Sequence, residues 1–570
     1  MTEISFTKSL FYGVIAEDLV FPFPTIAERE REGVQGLLDT IRQLKESMVD
    51  SERIDRDGCI QPELLDRLKA AGLYGSSLPV TLGGMGLTTK GHARVLEALS
   101  EADPALALSV FAHESLACRA IQRYGSAQLK QRYLPRLASG ELTGAFALAE
   151  GGSGSEASAM RAELRGVDGG YTLSGDKRWV TGGGTADVFV VFARTSAPDI
   201  GARPHMSALL VERGPGVTSG PDHDTLGLRG AGICDVSFRD VALPADSILG
   251  EPGKGHALAM DVLSAARIPL SAIFLGECRL IVGESVRWVQ ERHSQGRSIG
   301  EFSIIKDKIA RMLSDTFAVE SMVYLSAGLV DRGGLDTSLE GDICRVAASE
   351  ALWRVVGDAT SLAGGGAYVR PHALERHLRD ARGSFVIDGT NELLRCSIAL
   401  SGMRGPGARR QAVDGALREP VKGFGLLKKV AARKIKETLQ PAHVKRAHEL
   451  LAKETAALES LTQGFHQAVQ RALIEHGTEI AEMQYVQLRI ANVVIDLFAM
   501  TACIARATQR IQQRGVGGAR REVDMTHMFC RAAASRIKGL LRRLQHNDDE
   551  LRKQIASRAY EDNGYPFDVL

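Results

Sequence analysis

From residue 26 to about residue 143, apolar positions recur every three or four residues. Ala93-Arg-Val-Leu-Glu-Ala-Leu-Ser and Leu116-Ala-Cys-Arg-Ala-Ile-Gln-Arg-Tyr are the clearest stretches, and this period predicts helices. Between 144 and 250 the pattern changes. Glycine becomes frequent, and short β-branched or alternating runs appear at Tyr171-Thr-Leu-Ser, Val188-Phe-Val-Val-Phe, Ala208-Leu-Leu-Val and Val236-Ser-Phe, separated by turn residues. That spacing predicts a small antiparallel barrel or sandwich. Helical periodicity returns over 257–403, with Met260, Leu263, Ala266 and Leu270 on one face and further runs at Ile305–Gly328 and Asp342–Leu362, as in a bundle. Gly402-Met-Arg-Gly-Pro-Gly then predicts a break. Met483–Gln509 and Met525–Leu544 resume the helical pattern. The expected class is α+β, in five parts. They are an N-terminal helical domain (1–143), a middle β domain (144–256), a helical bundle (257–403), a linker (404–440) and a C-terminal helical domain (441–570).

Composition narrows the function. A chain of 570 residues, 44% hydrophobic and 24% charged, is globular and too long for one ordinary core. A formal net charge of +1 gives no electrostatic reason to expect a nucleic-acid partner. Cys59, Cys118, Cys234, Cys278, Cys344, Cys396, Cys503 and Cys530 are scattered without C-x-x-C spacing, which argues against a zinc site or disulfide frame and for a reducing compartment. No apolar run reaches the roughly 18–20 residues a membrane span needs. The start, Met1-Thr-Glu-Ile-Ser-Phe-Thr-Lys, has neither a secretory nor a transit pattern, so the expectation is a cytoplasmic protein. Within 404–440, Lys422-Gly-Phe-Gly-Leu-Leu-Lys-Lys-Val-Ala-Ala-Arg-Lys-Ile-Lys is basic and amphipathic, a pattern that can lie on the inner face of an anionic membrane.

Two segments carry candidate chemistry. Phe146-Ala-Leu-Ala-Glu-Gly-Gly-Ser-Gly-Ser-Glu is a glycine- and serine-rich turn, whose backbone N–H groups can cradle a phosphate or a flavin edge. Asp176-Lys-Arg-Trp-Val-Thr-Gly-Gly-Gly-Thr-Ala-Asp places a Trp and a Thr two residues apart, on one face of a strand. There an indole can shield a flavin ring and a hydroxyl can bond its polar edge. Taken alone, each also reads as ordinary barrel structure.

In order along the chain, these segments and five more resemble motifs of the acyl-CoA dehydrogenase family. The five are Gly253-Lys-Gly-His-Ala-Leu-Ala-Met, Arg292-His-Ser-Gln-Gly-Arg-Ser-Ile-Gly-Glu-Phe, Gly364-Gly-Gly-Ala-Tyr, Glu375-Arg-His-Leu-Arg-Asp-Ala-Arg and Ile387-Asp-Gly-Thr-Asn-Glu-Leu-Leu-Arg. Phe11-Tyr-Gly, Val20-Phe-Pro-Phe-Pro and the long helical tail resemble the very-long-chain subgroup. The resemblance implies FAD-dependent α,β-dehydrogenation of an acyl-CoA in fatty acid β-oxidation, in a homodimer that passes electrons to an electron-transfer flavoprotein. It implies cofactor contacts at Phe146, Leu148, Ser155, Trp179, Thr181, Phe302, Gly364, Gly365, Thr390 and Glu392, with Arg292 reaching a neighbour's FAD. Substrate contacts fall at Ser155, Ser264, Arg267, Gly389 and Phe111, the last near the acyl-tail channel. Peripheral membrane association is implied through the basic segment.

The base position holds Asp388 where most members have Glu, which retracts the carboxylate by roughly 1.3–1.5 Å. Ala266 removes the alternative base position found in some members. Ala149, Gly151, Ser294, Gln295 and Ser361 also depart from the family pattern at cofactor contacts. These departures leave two alternatives open: a non-catalytic or assembly homologue, and a flavin enzyme acting on a carrier-bound or non-CoA substrate.

Overall fold

The computed structural model describes residues 5–152, 160–196, 205–418 and 443–568. They divide into two compact units, Phe23–Asn391 and a second made of Met1–Pro22 with Glu392–Leu570.

In the first unit, helices α1 (Glu28–Ser47), α2 (Thr89–Ala102) and α3 (Pro104–Phe111) precede the sheet. Asp103 starts α3 by accepting from Ala105 N at 2.8 Å, with Pro104 at the first helical position, where a missing N–H costs nothing. The sheet comprises β1 (Gly144–Ala147), β2 (Glu163–Val167), β3 (Gly170–Thr181), β4 (Val188–Ser196), β5 (His205–Glu212), β6 (Val217–Asp222), β7 (Ile233–Pro244) and β8 (Ile248–Leu249). It is largely antiparallel, as its turns imply, but β1 and β2 both pair with β4 in parallel. The long excursions between these strands supply the crossovers that parallel pairing needs.

Helices α4 (Gly255–Glu291), α5 (Ser303–Arg332), α6 (Ser338–Ala363) and α7 (Ala373–Gly383) complete this unit. α4 is apolar on most sides and buries Leu270, Ile273, Phe274 and Leu275, the pattern of a central helix. It meets α2 at Gly276, where a Cβ would lie 2.2 Å from the Glu97 carbonyl oxygen, so no larger residue permits this approach.

In the second unit, α8 (Asn391–Arg418) leads toward α9 (Ala452–His476), α10 (Gln484–Gly518) and α11 (Arg520–Arg543). The N-terminal aromatics pack within this unit: Phe6 lies 5.9 Å from Phe498 and Phe11 5.0 Å from Phe465, ring to ring. The break expected at residues 402–407 is absent, because α8 runs through Pro406. A Cβ on Gly402 would sit 2.1 Å from the Phe11 ring, and one on Gly405 2.3 Å from the Tyr12 hydroxyl. Those glycines serve close packing, which overrides their low helix propensity.

The expectation that no segment is long and apolar enough to span a membrane is also corrected. By length and composition α4 and α10 both qualify, and both are mostly buried in protein. The basic segment 422–436 and Ser155 lie outside the described residues.

Candidate active site

Asp388 sits in the turn between α7 and α8 with φ 61°, and Gly389 follows with φ 90°. A non-glycine residue in the left-handed region is strained, so the turn must be held from outside. Arg345, on α6 and fully buried, holds it. Its Nε and Nη2 donate to the Ile387 carbonyl at 3.2 and 2.5 Å, Nη2 also donates to the Gly389 carbonyl at 3.0 Å, and Nη1 donates to Asn391 Oδ1 at 2.8 Å. Asn391 is fixed in turn by Ser349, to whose Oγ its amide donates at 3.0 Å. Burial pulls the Arg345 guanidinium down to about 10. It stays a cation at neutral pH and bonds only carbonyl oxygens on this turn.

The Asp388 side chain is 6% exposed, and its Oδ2 accepts from Arg267 Nε on α4 at 3.1 Å. Arg267 Nη1 bonds Asp342 on α6. Two buried carboxylates thus share one guanidinium. Asp388 Oδ1 is buried and has no hydrogen-bond partner among the described residues. Burial raises the Asp388 carboxyl to about 6, against the lowering pull of Arg267 and Arg345, and the Asp342 charge adds to the rise. A carboxylate with one oxygen anchored, one free and an ionisation near neutrality is suited to take a proton. The nearby Arg382 is no partner for it; that guanidinium lies over the rings of Trp353 and Phe385, at 5.4 and 4.9 Å. Ala266 is buried and offers no second base.

The expected cofactor face is built differently. β3 bulges between Lys177 and Val180 against β7, with Trp179 at φ 57°. Val180 points into the β core, so Trp179 and Thr181 flank it on the outward side. Trp179 is 54% exposed, which excludes a core Trp. Arg178 lies over the indole at 5.5 Å, and Asp235 accepts from Arg178 Nε at 3.1 Å and from Trp179 N at 3.4 Å.

The loop after β1 is clipped to β3 by a buried ion pair. Lys177 Nζ donates to Glu150 at 2.7 Å and to the Leu148 carbonyl at 3.2 Å, while Glu150 also accepts from Arg161 N and Ala162 N. Phe146 is half-buried against Phe192, 4.9 Å ring to ring. These groups fit a flavin: an outward indole and hydroxyl stand beside the Leu148–Glu150 backbone that Lys177 holds in position. Gly364 (φ 63°) and Gly365 end α6 in open space, where a Cβ would meet nothing within 4 Å.

Other expected residues are placed as follows. Arg292 caps α4 and is exposed, and the half-buried Phe302 lies under Arg297 at 4.0 Å. Thr390 is half-buried, and Glu392 is exposed in the first turn of α8. Ser264 lies one turn from Arg267, and its carbonyl oxygen would be 2.9 Å from a Cβ on Gly341, before Asp342. Phe111 is 2% exposed in the helical core. Arg267, Asp388 and Gly389 are brought together. Sequence reasoning missed Asp342 and Arg345; three charged residues, Glu340, Asp342 and Arg345, in the first turns of a buried helix were the available signal.

The chain matches family models described as Acyl-CoA dehydrogenase, N-terminal domain (residues 32–141), middle domain (145–241) and C-terminal domain (253–403), and ACAD9/ACADV, C-terminal domain (449–565). It is 33% identical over 559 residues to the mitochondrial very long-chain specific acyl-CoA dehydrogenase of Macaca fascicularis, covering 95% of this chain and 84% of that protein. Among solved structures it resembles an acyl-CoA dehydrogenase from Bacillus anthracis complexed with FAD, with TM-score 0.79, 26% identity and coverage of 100% of this chain and 97% of that one. The butyryl-CoA dehydrogenase of Megasphaera elsdenii matches at TM-score 0.61 and 29% identity, covering 65% of this chain and 97% of its own.

Proposed function

The chain belongs to the acyl-CoA dehydrogenase family, and from that premise we propose that Asp388 is the base of its FAD-dependent conversion of an acyl-CoA thioester to the trans-2-enoyl-CoA. The observation that carries this reading is the free, buried Oδ1 of Asp388 on a turn locked by Arg345. Arg267 holds Oδ2, which leaves Oδ1 as the oxygen able to take the substrate Cα proton. Held beside Trp179 and Thr181, FAD would supply the acceptor for the hydride leaving the substrate Cβ with its two electrons. Trp179 and Thr181 present the indole and hydroxyl that would flank the ring and bond its edge.

Asp342 is a positioning residue in this scheme. It draws one arm of Arg267 away, so the guanidinium cannot close in bidentate fashion on Asp388 and quench its basicity. Aspartate's shorter reach is tolerable only if the substrate approaches closely, since a misplacement of about 1 Å can cost on the order of 10²-fold.

Arg292 and the exposed hairpin after it support a homodimer in which that residue serves the neighbouring FAD. The basic stretch 422–436 supports peripheral membrane association. Eight free cysteines, seven of them at least partly buried, suit a reducing cytoplasm, and an electron-transfer flavoprotein is the acceptor the family implies.

The deciding experiment is anaerobic titration of the FAD-loaded protein with saturated acyl-CoAs of increasing chain length. Bleaching of the flavin band by at least one of them is expected. If none reduces the flavin while carrier-bound or non-CoA substrates do, the thioester assignment is wrong.

A further inference from the structure

Away from Asp388, α4 and α7 face each other across a buried cluster that the dehydrogenation does not use. His377 on α7 is wholly buried, and neither ring nitrogen has a hydrogen-bond partner among the described residues. Its Nδ1 lies 3.4 Å from Glu277 Oε1 on α4, an oxygen that is also unbonded. Asp380, one turn further along α7, completes the group, and one ligand atom from each of the three lies within 4.8 Å of the others. One Asp380 oxygen accepts from Leu228 N at 2.6 Å.

The 3.4 Å separation of His377 Nδ1 and Glu277 Oε1 is that of two ligands on one ion. Metal–ligand bonds of about 2.1 Å at tetrahedral angles put neighbouring donor atoms about 3.4 Å apart. A direct N–H···O bond would instead close to about 2.9 Å, which this pair does not do. On the far side of the ring, Glu284 Oε2 stands 3.8 Å from His377 Nε2. A carboxylate behind the ring, facing the nitrogen that does not bind, is the usual outer partner of a metal-bound histidine. The charge balance agrees. The buried Glu277, Asp380 and nearby Asp103, with the partly exposed Glu284, are four carboxyl groups, and among the described residues Arg376, 3.9 Å from Asp380, is the cation beside them. Burying such a set costs free energy unless a cation or protons offset it.

We propose that Glu277, His377 and Asp380 bind a divalent first-row transition ion that staples α4 to α7. One imidazole and two carboxylates suit zinc, with manganese or iron(II) next. The three ligands sit deep in protein, which makes the ion structural. α4 carries Arg267 and α7 leads into the Asp388 turn, so the staple fixes the two elements whose ion pair forms the base site. The site does not depend on which acyl group the enzyme takes.

The test uses the full-length protein. It is unfolded in denaturant with EDTA, freed of both, and refolded with FAD and either no metal, zinc, manganese or cobalt(II), then desalted. Elemental analysis should find about one ion per chain in at least one metal arm. That sample should melt about 5 °C or more above the metal-free one, as expected when an ion binds only the folded state. Glu277→Gln and His377→Gln should each lose the ion and the increment. Wild-type protein that takes up no stoichiometric metal in any arm overturns the proposal, as does an ion retained when both residues are replaced together. Should the variants fail to fold, uptake by the wild-type chain decides alone.

Discussion

The proposed base site around Asp388 and the proposed cofactor face at Trp179 belong to the same compact unit yet are built on opposite principles. Around Asp388 the charged anchors are buried or nearly so: Arg345 grips the turn, Arg267 grips the carboxylate and Asp342 grips Arg267. At β3 the key group is outward and largely exposed, and what is buried is its support, the Lys177–Glu150 pair beneath the loop after β1. A group that must move a proton needs a fixed position and a tuned ionisation, both of which burial among charges supplies. A surface that must receive a large planar ligand needs open area on a rigid backing. Damage at the first region should therefore strike the rate, and damage at the second should strike occupancy.

The largest expected effect tests that division directly. Asp388→Asn should leave FAD content and acyl-CoA binding in place while flavin reduction falls about 10²–10⁴-fold in stopped-flow measurement. Unchanged reduction would remove Asp388 from the mechanism. The same variant carries a stability signature. The Asp388 carboxyl is raised from 3.8 to about 6 in the folded chain. Its contribution to stability is therefore complete below the unfolded value and is lost as pH rises through about 6. At pH 8 the neutral Asn should melt no lower than wild type, which is what a residue kept for chemistry predicts. A lower melting temperature would mean that the ion pair with Arg267 outweighs the burial.

Next in size is Arg345→Met. It leaves the partly buried carbonyls of Ile387 and Gly389 without their donor, at about 0.5–1.5 kcal/mol for each lost bond. We expect a lower melting temperature and a flavin reduction rate down by on the order of 10²-fold through displacement of the base. Bound FAD should be little changed. A variant with normal rates would show that the turn holds its strained shape unaided.

Trp179→Ala probes the other region. FAD affinity should weaken about 10-fold, in line with the loss of one aromatic contact, while the pH dependence of reduction in FAD-saturated protein stays fixed. A displaced pH profile would show that the two regions are coupled.

The smallest effect is on that profile. Reduction should rise with pH through an apparent value near 6, because only the ionised carboxylate accepts the proton. Asp342→Asn removes a neighbouring negative charge and frees Arg267, both of which lower the Asp388 value. The rise should then move to lower pH by about one unit or less, with FAD content constant; a shift upward would contradict the assigned role of Asp342.

Much of this was legible in the chain itself. The alternation of helical and strand periods identifies the layers because burial of apolar side chains enforces those periods. The family resemblance of the ordered motifs, rather than the period of any one segment, singled out Asp388, Trp179 and Thr181. The antiparallel expectation fell short at β1 and β2, whose parallel partner β4 is remote in sequence. The predicted break at 402–407 failed for a similar reason: glycine was read as a stop, where Phe11 and Tyr12, far away in the chain, required it as a contact surface.

Tertiary structure alone decided the electrostatics of the proposed base, Asp388. Local sequence near Asp388 offers Arg382 as a neighbour, yet its partner is Arg267 from another helix, and the turn is held by Arg345 from a third. Whether Trp179 faced the core or the outside likewise depended on a bulge against β7 and on which side Val180 was buried. Periodicity determines which residues can be inside, because it follows from the geometry of one helix or strand. Which buried charges meet is set by the packing of several elements, and no single segment encodes it.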